Sequence, residues 1–158
     1  MIEDENLNSE GWRSLHQNGK LYLLMDYNLK GKEYTMGLFK VKNTDSGFSF
    51  NILADNNEII GTSQVYTTKQ ACVKGIASVQ SNAVYAAVED QTTEEYESES
   101  NPKFVIFTDK ANEYRFRLLA GNGKIILSSE GYKAKDSCLK AIESVQSNSF
   151  WSEIKEVE

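Results

Sequence analysis

An α+β fold is predicted for this chain: two tandem βββα(β) repeats forming one mainly antiparallel sheet with two helices packed on one face. Three observations predict it. The 158-residue sequence matches itself at an offset of 66 residues. Each matched unit opens with short apolar runs that alternate at the period of a strand. Each unit then closes with an apolar stripe at helical spacing. Internal repetition is read first because it determines the architecture.

The repeat covers 36–83 and 102–149 without a gap, with 17 identities in 48 aligned positions. Phe50 meets Phe116, Leu53-Ala54 meets Leu119-Ala120, and Asn56 meets Asn122. Ile59-Ile60 meets Ile125-Ile126, and Cys72 meets Cys138. The string Ser78-Val79-Gln80-Ser81-Asn82 recurs whole as Ser144-Val145-Gln146-Ser147-Asn148.

Each copy reads as three strands and a helix. In the second copy Phe104-Val105-Ile106-Phe107 is apolar, and Tyr114-Arg115-Phe116-Arg117-Leu118 alternates as a half-buried strand does. Gly121-Asn122-Gly123 is a turn signal, because these residues tolerate positive φ, and Ile125-Ile126-Leu127 forms the third strand. The first copy offers Leu38–Val41, Phe48–Ile52, the turn Asp55-Asn56-Asn57 and Ile59-Ile60. Thr67-Thr68 supplies N-cap oxygens to a helix whose face is Ala71, Cys72, Gly75, Ile76 and Val79. The second helix repeats this with Cys138, Leu139, Ala141, Ile142 and Val145, and Ser81-Asn82 and Ser147-Asn148 stop the two helices. The apolar stretches Ala83–Val88 and Phe150–Ile154 that follow are read as a fourth strand in each copy. One unit alone buries too little apolar surface to be stable, so the two are expected to share a core.

The pattern Tyr114–Leu118, Asn122-Gly123, Ile125-Ile126, Ser129-Glu130-Gly131-Tyr132 and Ile142–Val145 resembles the YegP-like family of uncharacterised bacterial and archaeal proteins. The first copy departs from it, with Asn57 at the turn Gly and Gln64-Val65 at Glu-Gly. The resemblance implies a continuous sheet with exchanged C-terminal strands, in a tandem chain or a homodimer of single units. It implies no activity, cofactor or catalytic residue.

The expected organisation is an N-terminal extension over 1–35, repeat 1 over 36–92, an acidic linker over 93–101 and repeat 2 over 102–158. In the extension, Trp12–Gln17 and Lys20–Met25 flank Asn18-Gly19, a strong hairpin signal. It is read as an added hairpin covering a sheet edge, in preference to a decayed third repeat.

The formal net charge is −6 with a pI near 4.9, which argues against a nucleic-acid partner, since phosphate binding needs clustered Lys and Arg. Charge is unevenly spread: 102–142 carries eight Lys/Arg against four Asp/Glu, and Glu89–Glu99 carries six acids and no base. No apolar run approaches the length of a membrane helix and no secretory h-region is visible, so a cytoplasmic location is expected.

Chemistry is sparsely signalled. Cys72 and Cys138 have no CxxC partner and fall on the apolar helix face, where Cys packs as a small hydrophobe; no metal or cofactor is expected. The one His, His16, has no partner for nucleophilic catalysis at a readable spacing, and no catalytic residue is assigned. Gly121-Asn122-Gly123 lies between strands and is a hairpin turn, not a dinucleotide fingerprint. Two groups stand as candidate binding residues. Asn56, Tyr66, Lys69, Asn122, Tyr132 and Lys135, with Ser63 and Ser129, are retained in both copies around the second turn and the strand-to-helix junction. Arg115 and Arg117 share one face of a strand, against Ser49 and Asn51 in the first copy.

The expected function is a non-enzymatic binding or interaction module for an unknown protein or small-molecule ligand. The chain is expected to be a monomer with an internal pseudo-dimer. The alternatives are a small enzyme using Asp/Glu with Tyr or Lys, and weak anion or nucleic-acid binding through Arg115/Arg117.

Overall fold

The structure is a computed structural model that describes residues 5–7, 12–17, 20–25, 37–150 and 152–157. Repeat 1 supplies β4 (Gly37–Thr44), β5 (Gly47–Leu53), β6 (Ile59–Thr62), α1 (Lys69–Asn82) and β7 (Ala87–Asp90). Repeat 2 supplies β8 (Lys103–Thr108), β9 (Tyr114–Leu119), β10 (Ile125–Ser128), α2 (Lys135–Ser149) and β11 (Ser152–Val157). These form one sheet in the order β11-β4-β5-β6-β10-β9-β8-β7. The fold is therefore α+β, as the repeat predicts.

The closing strands are exchanged. β7 leaves the end of repeat 1 and pairs in parallel with β8 of repeat 2, while β11 leaves the end of repeat 2 and pairs in parallel with β4 of repeat 1. The two halves meet at an antiparallel contact of β6 with β10, through Thr62 and Ser128. Those residues are 66 apart, so an internal pseudo-twofold axis passes between them. Each helix crosses the second strand of its own repeat and the third strand of the other.

Alternation aims Phe39, Val41, Phe50 and Ile52 of repeat 1, and Phe104, Ile106, Phe116 and Leu118 of repeat 2, at the helices. Cys72, Ile76, Val79, Cys138, Ile142 and Val145 meet them from above. Phe39 packs edge-to-face on Phe50 with centroids 5.6 Å apart, and Phe104 does the same on Phe116 at 5.6 Å. Such pairs contribute roughly 0.5–1.5 kcal/mol beyond the area they bury.

The twin Phe pairs correct the gapless alignment. Phe39 is equivalent to Phe104, an offset of 65, while Phe50 and Phe116 differ by 66. The hairpins account for the missing residue. Asn43 opposite Phe48 encloses four residues, and Thr108 opposite Tyr114 encloses five. A one-residue slip moves a whole strand's side chains to the other face. The gapless match therefore set Lys40 against the core residue Ile106, whereas Lys40 points away from the helices.

Thr68 caps α1, its side chain accepting from the Ala71 N–H at 3.1 Å. α2 begins after Ala134 with no side-chain cap and carries Asp136 in its first turn, where a negative charge suits the exposed N–H groups. Two strand expectations are shifted. Ala83–Ala86 is a largely buried turn, with the Ala83 N–H still bonded to the Val79 carbonyl at 2.9 Å, and β7 begins only at Ala87. Phe150 caps α2 and β11 starts at Ser152; Trp151 lies outside the described residues.

In the extension, β2 (Trp12–Gln17) and β3 (Lys20–Met25) pair antiparallel with Gln17 opposite Lys20, and β1 (Glu5–Leu7) adds to β2. The turn residues Asn18-Gly19 lie outside the described ones. The edge-covering expectation is corrected. The hairpin pairs with β1 in a separate three-stranded sheet, and the outermost strands of the large sheet are β11 and β7. In the repeat turn the Ala120 N–H bonds the Lys124 carbonyl across three residues.

Gly47 closes the shorter hairpin at φ 144°, and a Cβ there would lie 2.1 Å from the Tyr66 carbonyl oxygen. Gly47→Ala is expected to destabilise the protein by about 2 kcal/mol or more, from backbone strain plus a clash with main chain that has no freedom to give. Chemical denaturation of the two proteins measures it.

Candidate functional site

The polar residues retained in both copies make the same bonds twice. Ser63 Oγ accepts from the Phe50 N–H at 2.9 Å and donates to the Gln64 carbonyl at 2.7 Å. Ser129 Oγ accepts from the Phe116 N–H at 2.8 Å and donates to the Glu130 carbonyl at 2.8 Å. Each serine thus satisfies a backbone donor where the third strand leaves the ladder. Tyr66 exchanges both backbone hydrogen bonds with Phe48, at 2.6 and 2.7 Å, and Tyr132 does so with Tyr114, at 2.7 and 2.8 Å. The ring of Tyr66 stacks on Phe50.

Asn56 and Asn122 accept, through Oδ1, the N–H two residues on, from Glu58 and Lys124, each at 3.0 Å. This is an Asx turn. It corrects the expectation that these Asn hold the positive-φ position, which belongs to the next residue: Asn57 at 67° and Gly123 at 82°. Lys69 pairs with Glu156 on β11, and Lys135 pairs with Asp90 on β7. Asp90 and Glu156 are themselves 66 apart. The retained lysine at each helix start therefore fastens the exchanged strand of the other repeat.

Five of the eight candidate residues fall in three places. Asn56 and Tyr132 line one cleft of about 780 Å³ between the repeat 1 turn and α2, with Glu58, Glu130 and Lys140. Burial first, then the nearby Glu130, Cys138 and Glu58, pushes the Tyr132 hydroxyl up to about 12. This shift keeps the hydroxyl protonated at neutral pH. Lys69 lines a separate depression of about 500 Å³ with Val41, Phe48 and Glu156. Arg115 and Arg117 lie on the opposite side of the sheet, away from the helices.

Cys72 and Cys138 are free and fully buried, and burial pushes both thiols up, Cys138 to about 11. Among the described residues no three His, Cys, Asp or Glu side chains stand close enough to hold a metal ion. The side chain of His16 is not among those described. No helix among the described residues is long and apolar enough to cross a membrane.

The open face holds residues that sequence reasoning missed. Register places Lys40 and Lys42 of β4, Lys103 of β8, Arg115 and Arg117 of β9 and Lys155 of β11 on it. These are all six basic residues of the eight strands. Of the four strand carboxylates, Glu89 and Glu153 share that face while Asp90 and Glu156 turn to the helices. The signal was present as Phe39-Lys40-Val41-Lys42, two core residues alternating with two lysines, and the gapless register obscured it.

Some of these charges are internally matched. Arg115 Nε donates to Asp109 Oδ2 at 2.6 Å, and Lys103 Nζ donates to Glu89 Oε2 at 2.7 Å. Glu89 is 2% exposed and also accepts from Gln91 and from the Glu99 N–H; Lys103 and these bonds hold its carboxyl down at about 2. Arg117 lies over the Phe107 ring at 4.4 Å. Lys40, Lys42 and Arg117 have no carboxylate partner among the described residues.

The fold defines a class: a tandem pair of βββα units that exchange closing strands around one core. The model of a domain of unknown function, DUF1508, matches 43–90 and 109–156, two windows of equal length exactly one repeat apart. The chain belongs to that family. It is 38% identical over 117 residues to the UPF0339 protein YegP of Escherichia coli O157:H7, covering 73% of this chain and 91% of that one. A shorter relative, a UPF0339 protein of Agrobacterium fabrum, is 64% identical over 47 residues, 30% of this chain and 76% of that one. The solution structure of E. coli yegP, described as a protein of unknown function, superposes with a TM-score of 0.58 at 33% identity, covering 77% of this chain and 92% of that one.

Glu89 ties charge to stability. Its carboxyl is held low in the folded state, so its contribution is complete above the ordinary carboxylate range and is lost as pH falls from about 4.5 toward 2. Wild type should therefore lose denaturant resistance steeply in that window. Glu89→Gln should be the less stable protein at pH 7 and lose less on acidification, as urea midpoints at the two pH values would show.

Proposed function

We propose that the protein is a cytoplasmic, non-enzymatic interaction module, a monomer whose open sheet face docks a partner. The observation that carries this is the segregation of charge. A chain of net charge −6 places every basic residue of the eight-stranded sheet on the face that no helix among the described residues covers. The polar positions shared by both repeats are occupied with turns, ladder ends and strand clasps. In this reading 1–35 is an appendage, and 36–92 and 102–158 are halves of one core joined by the acidic 93–101. Both exchanged strands find their places within one chain, which supports a monomer, and the two buried free thiols suit a reducing compartment.

The enzyme alternative has the inter-repeat cleft as its site. The shift of Tyr132 away from neutrality weighs against acid–base work there.

The test compares wild type with a Lys40→Glu/Arg117→Glu variant of unchanged Tm in affinity capture from the source cell. A specific partner recovered by wild type and lost by the variant is expected. Turnover in a hydrolase or transferase panel that Tyr132→Phe or Glu130→Gln abolishes would overturn the proposal.

A further inference from the structure

Cross-strand register joins the open face into a single transverse row. Lys155 of β11 lies beside Lys40 of β4, Lys40 beside Asn51 of β5, and Asn51 beside Thr62 of β6. Thr62 lies beside Ser128 of β10 across the pseudo-twofold axis, and Ser128 beside Arg117 of β9. The row continues through Val105 to Glu89, which Lys103 already neutralises. Cations thus stand at both ends of a stretch of hydrogen-bonding side chains. Asn51, only 4% exposed, accepts from the Thr62 hydroxyl through Oδ1 at 3.1 Å, which fixes Thr62 in the row. The centre is a depression of about 470 Å³ lined by Thr62, Ser63, Gln64, Ser128, Ser129 and Glu130. Ile59 and Ile125, 47% and 44% exposed, flank the Thr62–Ser128 centre as a pseudo-symmetric pair.

We infer that this row binds an extended acidic segment of a partner protein, laid across the strands. The inference rests on the interaction role proposed above and names the partner's chemistry. Lys40 and Arg117 stand four strand spacings apart, roughly 19 Å, the reach of about six residues of extended chain. Carboxylates at the two ends of such a segment meet Lys40 on one side, where Lys155 stands 3.9 Å from Glu153, and Arg117 on the other. Its backbone crosses the Thr62 and Ser128 hydroxyls, and its aliphatic side chains meet Ile59 and Ile125. Glu130, at the rim of the central depression, disfavours a carboxylate at the segment's midpoint.

The face already shows this mode within the chain. Lys103 Nζ donates to the Glu89 carboxylate and, at 3.1 Å, to the carbonyl of Glu99 in the acidic linker. A single-stranded nucleic acid fits less well. Phe107 is the one aromatic side chain at the strand positions of this face, and Arg117 covers its ring, so no free platform is left for a base. The net charge of −6 repels a long polyanion, and exposed isoleucines match aliphatic side chains better than phosphates.

The experiment titrates 15N-labelled full-length protein with a ten-residue peptide alternating Glu and Ile, and separately with a uridylate oligomer of equal length. The peptide is expected to shift the amides of Lys40, Asn51, Thr62, Ser128 and Arg117 saturably. Affinity should fall about tenfold or more in Lys40→Glu/Arg117→Glu and clearly in the gentler Lys40→Gln/Arg117→Gln. It should also weaken as salt rises from about 50 to about 300 mM. Peptide shifts confined to residues off the row, or no shift at low salt, overturn the inference. Tighter binding of the uridylate oligomer on the row overturns the acidic-peptide assignment and leaves the interaction role standing. The capture experiment decides that role independently of either result.

Discussion

The reciprocal exchange of β7 and β11 is the constraint on which the rest of the structure depends. A unit of three strands and one helix leaves its first strand as an open edge. Here each unit closes the other: β11 covers β4, and β7 covers β8. β7 and β8 are consecutive in the chain, and the helix-free linker over 91–102 returns the chain so that the two pair in parallel. Each helix carries the chain over the other repeat's third strand, so both helices end on one face, and no helix among the described residues covers the other. The clasps Lys69–Glu156 and Lys135–Asp90 follow from the same geometry, since each exchanged strand arrives beside the start of the opposite helix. Exposed or half-exposed ion pairs of this kind contribute at most about 1 kcal/mol each. They set where the strands lie more than they hold the fold together.

Much of this was legible in the residues. The two copies, their strand alternation and their helix stripes follow directly from apolar spacing, and the buried aromatic pairs occupy the positions that spacing assigns. The one-residue difference between the first hairpins was not legible. No identity precedes Phe50, so nothing in the 36–49 stretch signalled that Phe39, not Leu38, answers Phe104. Only the registers show it, because alternation is blind to the length of a turn. The positive-φ residues escaped for a related reason. Asn56 and Asn122 are identical and drew attention, yet they act through side-chain oxygens, while the dissimilar pair Asn57 and Gly123 carries the backbone demand. Identity between repeats marks a shared side-chain role, and a shared backbone conformation can be met by two residue types.

The candidate site shows the same division. Residues retained in both copies attracted a functional reading because polarity retained through divergence invites one, and the structure gives each a bond that the fold requires. Arg117 was visible, but its companions Lys40 and Lys155 come from strands distant in sequence and became neighbours only through the exchange. Charge was visible as a total and by segment, but its separation onto one face depends on register. The basic face is therefore a product of how the two repeats are joined, with Lys40 and Lys155 from one side of the pseudo-twofold axis and Arg117 from the other.

The claim that both repeats form one core locked by exchanged strands is tested most directly by native-state hydrogen exchange across a denaturant series. The buried Phe50 and Phe116 amides, each bonded to its serine hydroxyl, report on the two repeats. A shared core predicts that both amides exchange through one global opening, with the same free energy and the same denaturant dependence. A Phe116 amide that stays protected after the Phe50 amide exchanges freely would contradict it.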